Sequence, residues 1–444
     1  MAWPDIRKSV LNRIKPNSRE IRVDMEFSRI IREKIADQLP SNYGIELMGS
    51  MAKGTFLKDA KDYDIFILVP KKVKKKEMEK IVLTAVKKAF PKNKTEIKYA
   101  EHPYVKLYAY GRKADIVPAY DIKYIEERET AVDRSILHTG YINRTLRKSQ
   151  REDVLLLKQF LKSHNLYGAE IKYQGFSGYL CELLVIHYGS FEKIVYAAAN
   201  WNQGLVIDIR KYYSEVEKTL ERFKDDQLIV VDPVDKNRNV SAVISLETIT
   251  KTMMVCRAFL KKPSKEFFEQ RKMSSSEMNK LIKKHAEFIS LKFTTPNIVD
   301  DILWGQLRKL GKHLVHYLGE LDFSILDYYI HMDGRKAEIL MECLENELPQ
   351  KLPVLGPQVI RYKDVEKFKK SHKNSSLFLN QGRIVAIDDR RIRKIKDGIK
   401  EFLKKEKLKM PSYLKKPLSK AKLDKKPKKS VLEKYLIWRK LFRK

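Results

Sequence analysis

Two aspartates, Asp62 and Asp64, stand two residues apart at the head of the apolar run Asp62-Tyr63-Asp64-Ile65-Phe66-Ile67-Leu68-Val69-Pro70. On a strand, residues i and i+2 project from the same face, roughly 7 Å apart at Cα. Two hard oxygen ligands at that spacing suit Mg²⁺, which takes one or two carboxylates plus substrate phosphates. A third carboxylate, Asp115, lies in Ala114-Asp115-Ile116-Val117-Pro118, on a strand expected to neighbour the first. Three such groups can hold two ions roughly 4 Å apart. The chemistry this implies is nucleotidyl transfer: an attacking RNA hydroxyl made more acidic, charge on the transferring phosphoryl offset, and pyrophosphate carried away. Asp115 is the best placed to take the hydroxyl proton. Upstream, Gly49-Ser50 reads as a small turn whose amides and hydroxyl can grip β and γ phosphates. A lone aspartate at a strand end is ordinarily a cap, and a lone Gly-Ser means nothing. The order Gly-Ser, eleven residues, Asp-x-Asp, then a later Asp is what points to catalysis.

The elements that must position these groups follow from periodicity. Residues 5–38 read as helical with a break at Pro16, and 40–44 end that helix. A short strand over 45–48 leads to Gly49, 55–57 continue it, and 62–70 form a strand apolar on both faces, hence central and covered. A basic helix is expected over 71–90 and a hairpin over 104–117 around Gly111-Arg112-Lys113, closed by Pro118. The first 140 residues are thus a mixed α/β unit. From Tyr141 the texture turns helical, with apolar spacing over 143–164, 177–200 and 245–260, Ser177 as an N-cap and Gly168 as a stop. Beyond Pro263, a strand at 286–293, a helix at 300–318 and strands at 323–331 and 337–344 fit a small α+β sandwich. Residues 349–357, with Pro353 between, read as a linker.

At 444 residues the chain exceeds one ordinary core. No apolar run reaches the ~18 to 20 residues of a membrane span, Met1-Ala2-Trp3-Pro4-Asp5 does not read as a signal peptide, and the protein is expected to be cytoplasmic. Cys181, Cys256 and Cys343 are expected to be buried free thiols. Ninety-one Lys and Arg against 57 Asp and Glu give +34, which favours a polyanionic partner. Thermal adaptation explains many charges of both signs but not so large an excess of one. Half of the excess lies in 391–444, where 22 basic residues face 5 acidic ones. Its runs, such as Lys425-Lys426-Pro427-Lys428-Lys429, are expected to track a phosphate backbone, the alternative being a solvated tail.

The pattern of Gly-Ser, Asp-x-Asp and a later Asp resembles the nucleotidyltransferase superfamily of DNA polymerase beta and poly(A) polymerase. The likeness is closer still in Ala100-Glu101-His102-Pro103-Tyr104-Val105, Ala131-Val132-Asp133-Arg134, Tyr167-Gly168-Ala169-Glu170, Gly175-Phe176-Ser177-Gly178-Tyr179-Leu180-Cys181-Glu182-Leu183-Leu184 and Asp232-Pro233-Val234-Asp235 followed by Arg238-Asn239-Val240. These resemble the archaeal, class I CCA-adding enzymes (tRNA nucleotidyltransferases). The resemblance spans about residues 20–310 and fades beyond ~345, where the chain looks short for the family and rich in lysine.

That resemblance implies a multidomain α+β fold: a polymerase-beta-like nucleotidyltransferase head at 1–142, a helical neck completing the nucleotide pocket at 143–262, an α+β domain at 263–357 and a basic RNA-binding region at 358–444. It implies a homodimer that adds and repairs the 3'-terminal CCA of tRNA from CTP and ATP, with Mg²⁺ and without a nucleic-acid template. By the same resemblance Asp62, Asp64 and Asp115 are the metal carboxylates, the first often Glu in relatives. Ser50 and Lys53 meet the triphosphate, Lys53 standing where relatives carry Arg, a point charge in place of a planar fork. His138, Lys158 and Tyr167 contact the nucleotide. Taken alone, these three would be a structural histidine, a snorkelling lysine and a packing tyrosine. Arg238 offers a fork of donors for a base edge, or a salt bridge to Asp232 or Asp235. The stretch 99–104 can stack on the growing 3' end. One triad must accept C twice and A once, so the RNA end is expected to reshape a single pocket as it lengthens. The tRNA would be recognised by the shape of its acceptor end and T arm, with no membrane involved. The rivals are a poly(A)-type polymerase, which would not stop after three additions, and a noncatalytic RNA-binding protein, against which the intact aspartates argue.

Overall fold

The computed structural model describes residues 3–442 apart from 100–102, 203, 271, 286 and 425. The chain divides into two compact units, Met1–Arg271 and Lys272–Lys444. The fourfold division named above stays a proposal within them.

In the first unit, the break expected at Pro16 separates α1 (Trp3–Ile14) from α2 (Ser18–Ala36). Asn17 starts α2 through a reciprocal cap: its side chain accepts from Glu20 N, and the Glu20 carboxylate accepts from Asn17 N. A five-stranded sheet follows, in the order β1-β2-β5-β4-β3. It comprises β1 (Gly44–Leu47), β2 (Tyr63–Val69), β3 (Thr95–Tyr99), β4 (Pro103–Ala109) and β5 (Arg112–Tyr120). Between its strands run α3 (Gly49–Lys53) and α4 (Lys75–Ala89). Residues 49–53 are therefore one turn of helix and not a simple turn, and 55–57 are not a strand, as Leu57 only bridges to Ala60. Gly49 (φ 66°) and Gly54 (φ 65°) bracket that helix in left-handed conformations, which turn the chain at each of its ends.

The sheet has two chemically different faces. Tyr63, Ile65, Ile67 and Val69 pack with Ala114 and Ile116 against Phe27, Ile31 and Ile35 of α2 and Met78, Val82 and Val86 of α4. The alternate residues Asp64, Phe66 and Leu68 point the other way, because side chains alternate along a strand. Pro118 does not close β5, which runs on to Tyr120 paired with β2. The pairing of β5 with β4 ends at Ile116, so Pro118 sits on an open edge where a missing N–H is tolerated.

The rest of the unit is mainly helical. The expected single helix over 143–164 is two, α5 (Arg134–Thr145) and α6 (Gln150–Ser163); Leu146 is extended between them. Then come α7 (Gly178–Tyr188), capped by Ser177, whose Oγ accepts from Leu180 N, and α8 (Phe191–Ala198). A small sheet of β6 (Leu205–Ile207), β7 (Leu228–Asp232) and β8 (Asp235–Asn239) surrounds α9 (Val216–Arg222) in sequence, and α10 (Leu246–Lys261) closes the unit. Trp3 of α1 stacks 5.3 Å from Phe191, and Phe160 meets Phe259 edge-on at 5.5 Å, tying the amino terminus to the helices.

The second unit carries α11 (Ser275–His285), β9 (Glu287–Thr294), α12 (Asp300–Glu320), β10 (Ile325–Asp333) and β11 (Lys336–Cys343) in the expected order. The linker expected at 349–357 is instead β12 (Lys351–Gln358), followed by α13 (Tyr362–Ser371), β13 (Ser376–Asn380) and β14 (Arg383–Asp389). Pro353 fits because β12 is an edge strand in the order β12-β14-β13. Nor is the basic end a solvated tail. In α14 (Ile395–Lys405), Ile395, Ile399 and Phe402 are buried in the same core as Leu307, Leu310 and Leu314 of α12. After α15 (Lys415–Leu418), β15 (Lys422–Asp424) adds an edge to β9. In α16 (Lys429–Leu436), Val431, Leu432 and Leu436 pack with Phe288 and Leu340. The lysines line the outside of amphipathic helices whose inner stripe is apolar.

Phe402 is fully buried. Replacing it with Ala should cost about 3–5 kcal/mol by chemical denaturation. Lys404→Gln with Lys407→Gln, both exposed in the same segment, should change stability by less than about 0.5 kcal/mol each.

Candidate active site

Parallel pairing of β2 with β5 sets Asp64 directly opposite Asp115, on the face away from α2 and α4. One step further along each strand on that face, Phe66 pairs with Val117. All four line a cleft of ≈390 Å³, whose other walls include Gly49, Lys53, Tyr104, Ser135, His138 and Tyr179. Of the residues singled out in sequence, Lys53, Asp64, Asp115 and His138 are thus brought to one cleft. Ser50 lies in α3 next to it, while Asp62, Lys158, Tyr167 and Arg238 stand outside its wall. In the stretch 99–104, Tyr104 lines the cleft and residues 100–102 lie outside the described residues.

The carboxylates repel one another. Burial pushes the Asp64 carboxyl up to about 6, and the charges of Asp62 and Asp115 push the same way. Burial also raises Asp115, against the pull of Lys106, whose Nζ lies 3.4 Å from Oδ1. That Oδ1 is buried and accepts no hydrogen bond. Asp62 sits in the loop just before β2, its side chain two-thirds exposed and 3.9 Å from Lys113 Nζ. Among the described residues no three His, Cys, Asp or Glu side chains converge closely enough to enclose an ion. The expected closed trio is therefore an opposed pair, Asp64 and Asp115, with Asp62 at the solvent edge. The donors still fit a divalent cation: they are hard oxygens, one is orphaned, and a positive charge between them would relieve their repulsion. Gly49 makes room, since a Cβ there would fall 2.1 Å from Asp64 Oδ2.

Behind α3, a buried ion cluster holds the lysines. Glu182 of α7, fully buried, accepts from Lys53 Nζ at 2.6 Å and from Thr55 Oγ1 at 2.5 Å. Lys158 of α6 donates to Thr55 O at 2.9 Å and lies 3.5 Å from Glu182 Oε1. Burial alone would raise the Glu182 carboxyl, but Lys53 and Lys158 hold it below the ordinary range. A Cβ at Gly178 would stand 3.1 Å from Tyr167 Oη and 3.3 Å from Lys158 Nζ, so both side chains close on the space that this glycine leaves open.

A second carboxylate, Asp232 at the end of β7, organises the opposite wall. It accepts from His138 Nε2 at 2.8 Å, Tyr179 Oη at 3.0 Å and Arg238 at 2.9 Å. The His138 and Tyr179 rings stack at 3.9 Å. Burial pushes the His138 imidazole down, against the pull of Asp232. Arg238 is thus salt-bridged to Asp232, while Asp235 pairs with Arg128 and Arg134. Glu182, Tyr179 and Lys106 were given no role in the sequence, and Asp232 only that of a possible partner of Arg238, which it is. A readable signal existed for Glu182: one charge in Leu180-Cys181-Glu182-Leu183-Leu184 complements one in Leu156-Leu157-Lys158.

Glu182→Gln should leave two cations without their shared anion and cost about 3–5 kcal/mol of stability. The double variant Glu182→Gln with Lys158→Met should recover part of that loss, since it removes one unpaired charge. Denaturant titration of the four members of the cycle measures the coupling.

Comparison with known proteins assigns the three parts of the chain to one lineage. Residues 28–138 match the family model described as a nucleotidyltransferase domain, 152–269 that of the tRNA nucleotidyltransferase second domain, and 284–421 that of the CCA-adding enzyme C-terminal domain. The last match extends well past the point near 345 at which the sequence resemblance seemed to fade. The chain is 36% identical over 413 residues to a CCA-adding enzyme of Methanocaldococcus jannaschii, covering 90% of each chain. It is 34% identical over 380 residues to that of Methanosarcina acetivorans, covering 84% of this chain and 82% of the relative. A solved poly(U) polymerase overlays with a TM-score of 0.47 at 16% identity, over 60% of this chain and 98% of that one, too loosely to inform function. With relatives at this identity aligned along nearly their whole length, the chain belongs to the archaeal, class I family of CCA-adding enzymes.

Proposed function

We propose that this protein adds and repairs the 3'-terminal CCA of tRNA, transferring CMP, CMP and AMP from CTP and ATP to the RNA 3' hydroxyl without a nucleic-acid template. The observation that carries the reading is the in-register pair Asp64 and Asp115 at the floor of a cleft, in a chain of this family. Asp64 and Asp115 would hold Mg²⁺, with Asp62 joining from the loop. Bound there, Mg²⁺ would offset charge on the transferring phosphoryl and on the leaving pyrophosphate.

The chain's own residues do the rest. The 3' oxygen attacks the α-phosphorus, the bond to the β-phosphate breaks, and pyrophosphate leaves with the electron pair. The hydroxyl proton passes to Asp115, whose Oδ1 has no hydrogen-bond donor and whose burial favours the protonated form. Ser50 and Lys53 meet the triphosphate, with Lys158 and Tyr167 behind them. Glu182 fixes the lysines before substrate arrives, so little reorganisation accompanies transfer. His138 and Arg238, both oriented by Asp232, face the base edge. No helix among the described residues is long and apolar enough to cross a membrane, and the three cysteines are buried and form no disulfide; a cytoplasmic site of action belongs to the same proposal. The homodimer and the tRNA contacts at the acceptor end and T arm belong to the same proposal.

The direct test is incorporation of labelled CTP and ATP into tRNA lacking its 3' end. Addition should stop after three nucleotides, require Mg²⁺, and vanish in Asp64→Asn and Asp115→Asn. An unlimited homopolymer would favour the poly(A)-type reading instead. A proton and a cation compete for Asp64, so Mg²⁺ affinity is complete above about pH 6 and is lost as pH falls through it. Half-saturating Mg²⁺ for incorporation should rise by about fivefold between pH 6 and pH 5 for one competing proton, and should change little between pH 7 and pH 8.

A further inference from the structure

One buried carboxylate lies outside every role described so far. Asp24 of α2 has no solvent exposure. It sits on the back of the catalytic sheet, the face opposite Asp64 and Asp115. Its Oδ1 accepts from Tyr63 Oη at 2.7 Å and from Arg112 Nη1 at 2.5 Å, and its Oδ2 lies 2.8 Å from Lys61 Nζ. Arg112 also donates to Tyr63 Oη at 2.7 Å, and its guanidinium lies over the Phe27 ring at 5.5 Å. Burial alone would raise the Asp24 carboxyl, but Lys61 and Tyr63, then Arg112, hold it below the usual range.

The sequence positions of these partners matter. Lys61 and Tyr63 alternate with Asp62 and Asp64, so Asp64 in the cleft and Asp62 at its solvent edge are interleaved with residues tied backward to Asp24. Arg112 begins β5, three residues before Asp115. A single anion therefore fastens both the loop-to-strand entry that carries Asp62 and Asp64 and the start of the strand that carries Asp115. Asp62 needs such a hold more than the others, because it precedes β2 and has no ladder pairing of its own.

We propose that Asp24 is a positioning residue for the metal carboxylates: anchored in α2, it sets from behind the sheet the separation at which Asp62, Asp64 and Asp115 present their oxygens to a divalent ion. The inference rests on the catalytic reading above. An Asn at 24 keeps the shape but leaves Lys61 and Arg112 without their shared anion, and the entry to β2 loosens. A phenylalanine at 63 keeps all charges and removes only the hydroxyl bridge.

The test is Mn²⁺ binding to the substrate-free full chain, followed by electron paramagnetic resonance of the free ion, for the wild type, Asp24→Asn, Tyr63→Phe and Asp64→Asn. Asp24→Asn should weaken the binding that Asp64→Asn removes by about 10–100-fold, the range seen when groups supporting metal ligands are lost. Tyr63→Phe should weaken it less, in the same direction. Half-saturating Mg²⁺ for nucleotide incorporation should rise in parallel, with the rate at saturating Mg²⁺ and the KM for CTP within about threefold of wild type if only the metal site is loosened. A lowered melting temperature with unchanged Mn²⁺ binding in Asp24→Asn would reduce Asp24 to a structural role and overturn the proposal. If Asp24→Asn does not fold, Tyr63→Phe decides it by the same criterion. Mn²⁺ binding undiminished in Asp64→Asn would overturn the carboxylate site itself, and the positioning role with it.

Discussion

The parallel register of β2 on β5 is the constraint on which the site depends. It opposes Asp64 to Asp115 and puts Phe66 and Val117 beside them on the same face. A slip of either strand by one residue would turn its carboxylate into the apolar layer beneath the sheet, beside Phe27 and Met78. Burying a carboxylate there without partners is prohibitive, whereas Tyr63, Ile65 and Ile67 fill that layer well. The hydrophobic pattern that folds the sheet is therefore the same pattern that aims its charges. Mutual repulsion of the acids is tolerated because the back of the sheet supplies the burial that holds the register.

Three buried acids other than Asp64 and Asp115 divide the labour of holding the surrounding cations. Glu182 orders Lys53 and Lys158, Asp232 orders His138 and Arg238, and Asp24 orders Lys61 and Arg112. Each acid comes from an element other than that of most of its partners. Each thereby joins helix to sheet, or helix to helix, Glu182 and Asp232 beside the cleft and Asp24 behind the sheet that floors it. A lysine left free in such a site would have been drawn to Asp64 or Asp115. Held by Glu182 it is a fixed donor, and preorganised donors stabilise developing charge without having to move.

That Asp64 and Asp115 would share one face was legible in the sequence, because residue types at fixed spacing on recognisable strands imply shared faces; Lys53 and His138 were named only through the family resemblance. What joins residues far apart in sequence was not legible. Glu182 meets Lys53 across 129 positions, and Asp232 meets His138 across 94. No local period encodes such pairings, although a lone charge inside an apolar helix does say that a partner must exist. Asp24 carried that signal as well, standing with Phe27, Ile31 and Ile35 on the buried stripe of α2. The element errors have a common cause in local rules overridden by context. Pro353 looked like a linker and is accommodated on an edge strand, and Gly49-Ser50 looked like a turn and opens a short helix.

The basic end of the chain shows why composition is a weak guide to order. Its 22 Lys and Arg against 5 acids left a solvated tail open as the alternative to a segment that tracks phosphates, yet Ile395, Ile399, Phe402, Leu414, Leu418, Val431 and Leu436 recur among them and are buried. Net charge opposes compaction only weakly where the charged heads remain in water and their alkyl stems cover apolar surface. Apolar periodicity, not charge, decides whether such a segment folds. The same lysines then sit on an ordered scaffold, with each ammonium at a fixed place on the surface of its own unit. A flexible tail with the same charge would lose conformational entropy on meeting a polyanion; helices already packed into a core have lost it on folding.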